Sequence, residues 1–272
     1  MRLAFLGCGS MGTAMASALL HAPRADGLRK LTLCVRSDQS QSRLEGKFYN
    51  RHRGRVQVLR NQNVLAVKDS DVIILAHEPH KLRSILSGSG MRISIEQIRD
   101  TLEHTTGAVP SKWDIVRAMP NIGAQVNESM ALISEPRIED SSPEGVRTAS
   151  WLLEQIGRVQ QVPNAAYDAA TVLTGACYAL TSDALEGMLD GAESKGLSRS
   201  AAHSIATQCF RGLSILLANG QGLAEIKDSL SSPGGATIQG LKALEQQNVR
   251  SAFADAIVQA ANHASTMASR QD

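Results

Sequence analysis

Aromatic side chains are scarce in this 272-residue chain: two Trp, three Tyr and four Phe, or 3%. A core with so few rings has to be built from Ala, Leu, Ile, Val and Met, which favours helices and close helix packing. No apolar run approaches the roughly 20 residues that would cross a bilayer, so no membrane partner is expected. Neither sign of charge dominates at a net +2, which leaves no global field to attract nucleic acid. The four cysteines, Cys8, Cys34, Cys177 and Cys209, show no CxxC or metal-ligand spacing, so no metal site is expected. Two of them fall at buried strand or turn positions, and the set reads as structural thiols in a reducing, cytoplasmic compartment. The opening MRLAFLGCGS is too short and too glycine-rich for a signal peptide. The basic cluster Arg51-His-Arg-Gly-Arg55 has no interleaved aromatics and reads as a solvated loop.

What is present is an alternation of strands and helices. MRLAFL reads as a buried strand ending at Gly7, and Met11–Leu20 as a helix of small apolar residues packed on a sheet. Leu31–Val35, Val56–Leu59 and Asp71–Ala76 read as further strands, with a brief helix face at Val64–Val67. Strands are expected at Ile115–Ala118, Met130–Ser134 and Val159–Val162, and a helix at Val146–Ile156. This order predicts an α/β fold with a Rossmann-type, doubly wound parallel sheet. After Pro163 the residues at 165–230 and 237–270 are rich in Ala and Leu at helical spacing, and Ser231–Gly235 is the strong break. Two domains are expected: a dinucleotide-binding domain over 1–162 and an all-helical one over 163–272.

The segment Gly7-Cys-Gly-Ser-Met-Gly12 fits G-x-G-x-x-G between the first strand and first helix. In that pattern Gly7 makes the tight turn, Gly9 lets a pyrophosphate approach the backbone, and Gly12 lets helix and strand pack closely. The phosphates would rest on free N–H groups, including those of Ser10 and Met11, at the positive end of a helix. At the end of the second strand NAD-binding chains carry an acid for the ribose 2′-hydroxyl. Here Arg36-Ser37 stands instead, a guanidinium that can fork onto a phosphate beside a hydroxyl donor. The pair favours NADP(H), with NAD(H) as the alternative because Asp38 follows directly.

Several motifs together resemble the pyrroline-5-carboxylate reductases, particularly the fungal forms, over nearly the whole chain. They are the glycine turn with Met11, Arg36-Ser37, Asn63, Leu75-Ala-His-Glu-Pro79, Arg117-Ala-Met-Pro-Asn121, and Ser232-Pro-Gly-Gly-Ala-Thr-Ile238 with Gly240-Leu. The resemblance implies reduction of the cyclic imine 1-pyrroline-5-carboxylate to L-proline by hydride transfer from NAD(P)H. It places Asn63 near the adenosine ribose, Ala76 and Pro79 along the nicotinamide, and Met119, Pro120 and Asn121 beside nicotinamide and substrate. It implies that backbone N–H groups around Gly234, Gly235 and Thr237, with Ser232, hold the substrate carboxylate. The Thr237 hydroxyl is implied as the partner of the imine nitrogen and hence as the catalytic residue. Read without the resemblance, Ser232–Gly235 is a helix connection and Thr237 a cap on the next helix.

Three departures from the family pattern stand out. Where the family has Gly-Ser-Gly-Pro-Ala, this chain has Gly175-Ala-Cys-Tyr-Ala179, so Tyr178 is expected to narrow or fill the pocket. Where it has Val-Lys-Pro, this chain has His77-Glu-Pro79, which reverses a charge. Finally, a sheet strand is expected to be missing near residues 88–95, which would leave unpaired edges; a deletion there, or a mis-joined reading frame, accounts for it. The departures keep two alternatives open: reduction of a different cyclic imine in a specialised pathway, and a non-catalytic relative that binds a nucleotide or partner. The helices at 165–187 and 201–217 are apolar on more than one face, which predicts a homodimer or larger homo-oligomer.

Overall fold

The computed structural model describes residues 1–22, 27–52, 54–76, 114–135, 141–232 and 234–269. The chain falls into two compact units, Met1–Thr171 together with Met267–Asp272, and Val172–Thr266. In the first, β1 (Arg2–Leu6), α1 (Ser10–His21), β2 (Lys30–Val35), α2 (Asp38–His52), β3 (Val56–Arg60), α3 (Asn63–Lys68) and β4 (Val72–Leu75) follow in turn. The strands are parallel in the order β3-β2-β1-β4. Residues Leu3 to Leu6 of the central strand are fully buried, which is why that strand reads as an unbroken apolar run rather than an alternating one. Helix α1 buries Gly12, Met15, Ala16, Leu19 and Leu20, an i, i+3, i+4, i+7 stripe.

Helix α2 corrects the sequence reading. Arg51 and His52 lie in its last turn, and Gly54 and Arg55 in a turn beyond it. Its buried stripe consists of Leu44 and Phe48, one i, i+4 pair among polar residues, too thin a periodicity to register in the sequence.

A second sheet in the same unit has the order β5-β6-β7, from β5 (Ala118–Met119), β6 (Ser129–Ser134) and β7 (Gly157–Val162). A 3-10 turn (Ile122–Val126) and α4 (Pro143–Glu154) complete it. β6 and β7 are parallel, but β5 pairs antiparallel to β6 and covers 118–119 rather than the expected 115–118. Gly157 has φ +149°, and a Cβ there would collide with the Ser129 backbone, so only glycine lets β7 begin where it does. Helix α4 starts on Pro143, with the Ser142 hydroxyl accepting from the Gly145 N–H at 3.1 Å. Asp114 accepts from both the amide and the hydroxyl of Ser142 at 2.7 Å, and these bonds hold its carboxyl below the ordinary carboxylate range. One apolar cluster runs from Phe5, Leu33, Leu44 and Phe48 to Ala131, Ile133, Leu152 and Ile156, so the two sheets share a core. The expected strand loss near 88–95, the charge reversal at His77-Glu78 and the cofactor contact at Pro79 lie outside the described residues.

Helix α5 (Tyr167–Glu193) follows a short 3-10 turn at Asn164–Ala166 and carries the chain into the second unit, which continues with α6 (Arg199–Ala218), α7 (Leu223–Ser229), α8 (Ala236–Gln246) and α9 (Val249–Ser269). The helical spacing expected over 165–230 is interrupted twice, at Gly196 (φ +91°) and at Gly220 (φ +90°). Each stands in the left-handed conformation that ends a helix. Among the described residues no helix is long and apolar enough to cross a membrane.

Candidate functional site

The glycine turn lies where β1 hands over to α1. Gly7 has φ +79°, and the Gly9 N–H returns to the Gly7 carbonyl at 2.7 Å. The Cys8 N–H donates to the Cys34 carbonyl at 2.9 Å, tying the turn to the end of β2. Gly9 is the N-cap of α1, where no side chain caps the helix and no acid stands in its first turn. The first amides of a helix have no partner inside it, so those of Ser10 and Met11 are open to an anion. A Cβ on Gly9 would find only the Gly7 carbonyl oxygen, at 4.0 Å, whereas one on Gly12 would stand 3.2 Å from both the Ala76 Cβ and the Cys8 Sγ. Gly9 therefore leaves open space at the turn, while Gly12 seats α1 against β1 and the end of β4. The turn is braced by Thr13, whose hydroxyl donates to the Gly9 carbonyl at 2.6 Å.

The parallel sheet puts its other loop residues at the same edge. Leu6 pairs with Cys34 and with Leu75, and Val35 pairs with Arg60. Gly7, Arg36, Asn63 and Ala76 thus all follow carboxyl ends of adjacent strands, the edge at which ligands of open α/β sheets bind. Ala76 is fixed by its N–H to the Leu6 carbonyl at 2.9 Å. Arg36 is exposed and has no ion-pair partner among the described residues. The Ser37 hydroxyl accepts from the Ser40 N–H at 3.2 Å and so caps α2. Asp38 accepts from Arg60 at 3.1 Å, which turns its charge toward β3.

Arg43 was not anticipated. From the second turn of α2 its Nη2 comes within 3.5 Å of the Cys8 carbonyl, adding a cation beside the glycine turn. No sequence motif marks it, because the approach depends on how α2 packs against the turn. The thiols of Cys8 and Cys34 are pushed up by burial, to about 11 and about 12. Both are neutral packing groups at physiological pH.

Met119, Pro120 and Asn121 link β5 to the 3-10 turn. The Asn121 N–H donates to the Ser129 hydroxyl at 3.1 Å, and its Oδ1 accepts from the Gly123 N–H at 3.1 Å, leaving the side-chain NH2 as donor. This turn packs on α1, with Ala124 buried in the common core. Just upstream, Arg117 stacks over the Tyr167 ring at 4.1 Å and approaches Asp168 at 3.6 Å. That contact anchors the segment leading into Met119.

The second unit carries Ser232–Thr237. Gly234 has φ +75°, and the Gly235 N–H donates back to the Ser232 carbonyl at 2.9 Å, closing a tight turn. A Cβ on Gly235 would meet the Ser232 hydroxyl at 2.5 Å and the Ser232 carbonyl oxygen at 3.0 Å, so a larger residue there would have to turn the Ser232 side chain aside. Because the Gly235 amide is engaged, the amides left for an anion belong to the first turn of α8, at Ala236 and Thr237. Gly235, not Thr237, is the N-cap of α8. Thr237 is exposed, and its hydroxyl makes no hydrogen bond among the described residues. Gly175–Leu180 runs as uninterrupted helix within α5, with Cys177 and Tyr178 exposed.

Residues 164–267 match the family model for pyrroline-5-carboxylate reductase dimerisation, and residues 2–98 match the model described as NADP oxidoreductase coenzyme F420-dependent. A pyrroline-5-carboxylate reductase from Lophium arboricola is 33% identical over 95% of this chain and 90% of its own length. Among solved structures, a pyrroline-5-carboxylate reductase from Coxiella burnetii shares the fold at a TM-score of 0.77 and 23% identity, over 98% of each chain. The Plasmodium falciparum pyrroline carboxylate reductase, solved with NADP bound, does so at 0.76 and 22%, again over 98% of each chain.

Proposed function

The chain belongs to the pyrroline-5-carboxylate reductase family, and on that premise we propose that it reduces 1-pyrroline-5-carboxylate to L-proline with NADPH. It is an NAD(P)H-dependent oxidoreductase. The observation that carries the reading is Thr237, an exposed hydroxyl with no hydrogen-bond partner among the described residues, one residue into a helix whose first amides are open.

The residues fit the dinucleotide. Gly7, Gly9 and Gly12 shape the turn, and Ser10 and Met11 offer amides to the pyrophosphate. Arg36 gives the 2′-phosphate a forked cation, Ser37 fixes the start of α2 beside it, and Asn63 borders the ribose. Ala76, Met119, Pro120 and Asn121 border the nicotinamide, with the Asn121 NH2 free to donate. The bound nicotinamide supplies the hydride. An imine protonated at nitrogen is already electrophilic at carbon, so the protein has mainly to position it and keep it dry. Amides at the start of α8, shaped by Ser232, Gly234 and Gly235, hold the carboxylate. The Thr237 hydroxyl holds the ring nitrogen and keeps its proton in place as the amine forms, a role worth about 10²–10⁴ in rate.

The direct test is NADPH oxidation with 1-pyrroline-5-carboxylate, run beside Thr237→Ala. Turnover by the parent and a fall of roughly 10²-fold or more in the variant, with NADPH affinity kept, supports the assignment. Equal rates remove Thr237 from the chemistry. A second reading, another cyclic imine as substrate, is favoured by Cys177 and Tyr178, which stand exposed where the family has glycine and proline. Faster turnover of a larger ring than of the ordinary imine would decide for it.

The active form is a homodimer or larger homo-oligomer built on the second unit, supported by the match of 164–267 to a dimerisation model. The chain acts on a small molecule in a reducing, cytoplasmic setting, consistent with its four free cysteines. It has no nucleic-acid role, since its net charge is only +2 and Arg55 is turned inward to the Leu28 carbonyl.

A further inference from the structure

The outer face of α1 lines a cavity of about 420 Å³, walled by α2 on one side and the 3-10 turn at Ile122–Val126 on the other. Its polar lining includes Ser10, Ser17, His21, Arg43, Lys47 and Gln125, with no carboxylate among the described residues that line it. Arg43 and Lys47 stand at i and i+4 on α2, so their like charges face one another along one helix side, a mildly destabilising pair. Neither has a carboxylate partner among the described residues; Arg43 reaches the Cys8 carbonyl and Lys47 lies over the Phe48 ring. His21 donates from Nδ1 to the Ser17 carbonyl at 2.7 Å, which leaves Nε2 as its remaining polar atom. Two unneutralised cations beside an imidazole, hydroxyls and an amide form a lining suited to a compact, multiply charged oxyanion.

The groove is more than the phosphate end of the dinucleotide site. Ser10 lies at the start of α1 and His21 at its end, eleven residues or about 16 Å apart along the axis. Lys47 lies a full helical turn beyond Arg43 on α2. Ser10, Thr13 and Arg43 adjoin the glycine turn; the remainder runs down the helix away from the carboxyl edge of the sheet. We propose that this groove is a second anion site that takes a phosphate-bearing small molecule while the dinucleotide is bound. Arg43 stands between the two seats, so occupancy of one is felt at the other. The proposal rests on the reading above only in using NADPH to fill the glycine turn, and NADPH binding is followed separately by its own fluorescence.

The test is calorimetric titration of inorganic pyrophosphate into the full-length protein, with and without saturating NADPH. The expected result is saturable binding to the NADPH-loaded protein, weakened about tenfold by Lys47→Gln and abolished by Arg43→Gln with Lys47→Gln. Lys47→Arg should retain it, and Lys68→Gln, on the exposed face of α3, should leave it unchanged. Imine turnover by Lys47→Gln without pyrophosphate should equal that of the parent. Pyrophosphate that binds only in the absence of NADPH would assign the anion to the dinucleotide's own seat and overturn the proposal. Binding to the loaded protein that ignores Lys47→Gln, in a variant of native circular dichroism, would overturn it equally.

Discussion

The two units bury their apolar residues to very different degrees. In the first, Leu3, Phe5, Leu31, Leu33, Leu44 and Ile156 are completely buried or nearly so, in one cluster that spans both sheets. In the second, the fully apolar side chains that are buried among the described residues are Leu189, Ala202 and Ile226, while Leu173, Ile205, Leu223 and Val258 are each more than half exposed. Five helices with such surfaces cannot repay their ordering entropy alone. The first unit completes its core from its own chain, whereas the second is built to complete its core with another copy. The family match falls on the same division: the dimerisation model covers 164–267 and the oxidoreductase model 2–98.

The strongest way to break this comparison is to charge the exposed helix faces. Ile205→Asp combined with Val258→Asp should dissociate the oligomer, abolish imine turnover and speed amide hydrogen exchange across α5, α6 and α9. Each buried apolar side chain is worth about 1.5–3 kcal/mol, and the loss recurs in every copy. NADPH binding to the first unit should survive. Sedimentation velocity with hydrogen exchange checks this, and an oligomer of unchanged mass and protection would mean these faces meet water in the native protein.

A core truncation sharpens the same contrast. Phe5→Ala in β1 should cost about 3–5 kcal/mol in urea unfolding, because the ring is fully buried between α1 and the sheet. Leu244→Ala, on half-exposed α8, should cost under about 1 kcal/mol unless oligomer contacts cover it. A smaller loss for Phe5→Ala than for Leu244→Ala would invert the assignment of the two cores.

The cysteines report the difference chemically. Cys8 and Cys34 are buried, with thiols raised to about 11 and about 12, whereas Cys177 and Cys209 on the helices are exposed within the chain. At neutral pH Cys8 and Cys34 should resist iodoacetamide until the first unit unfolds, since neither solvent nor thiolate is available. Cys177 and Cys209 should react first, slowed only by oligomer formation. Mass spectrometry of alkylated peptides across a denaturant series checks the order, and early labelling of Cys8 would show that the glycine turn opens.

Much of this architecture was legible because the chemistry was local. The turn Gly7–Gly12 needs only sequence-adjacent residues, and the buried runs of β1 and β2 and the half-buried apolar run of β4 announce themselves. The signature Ser232–Thr237 was equally visible, but its details were not. The commitment of the Gly235 amide to Ser232, and the capping of α8 by Gly235 rather than Thr237, depend on backbone geometry that no residue type specifies. Helix α2 was missed because two residues, Leu44 and Phe48, suffice to dock it. Arg43 was missed for the same reason, since its value lies in a contact 35 positions away. The double apolarity of the C-terminal helices pointed to a partner, though which residues stay exposed could only come from their packing.

The smallest effect concerns the edge of the first unit that faces water. Arg2 bridges Asp71 at 2.8 Å and Asp69 at 3.1 Å, and Lys30 reaches Asp69 at 2.6 Å. Hydrogen bonding to Arg2 lowers the pKa of Asp71, and hydrogen bonding to Lys30 lowers that of Asp69. A carboxylate whose folded pKa lies below its unfolded value adds stability above the unfolded pKa, and loses it as pH falls through the folded one. Arg2→Gln should therefore lower the urea midpoint slightly at pH 7, and the gap from the parent should close as pH falls below about 4. All these groups are exposed, so added salt should narrow the gap at pH 7 as well. A gap that persisted unchanged at low pH would assign the role of Arg2 to its packing along β1, and the edge would then behave like the interior of its own unit.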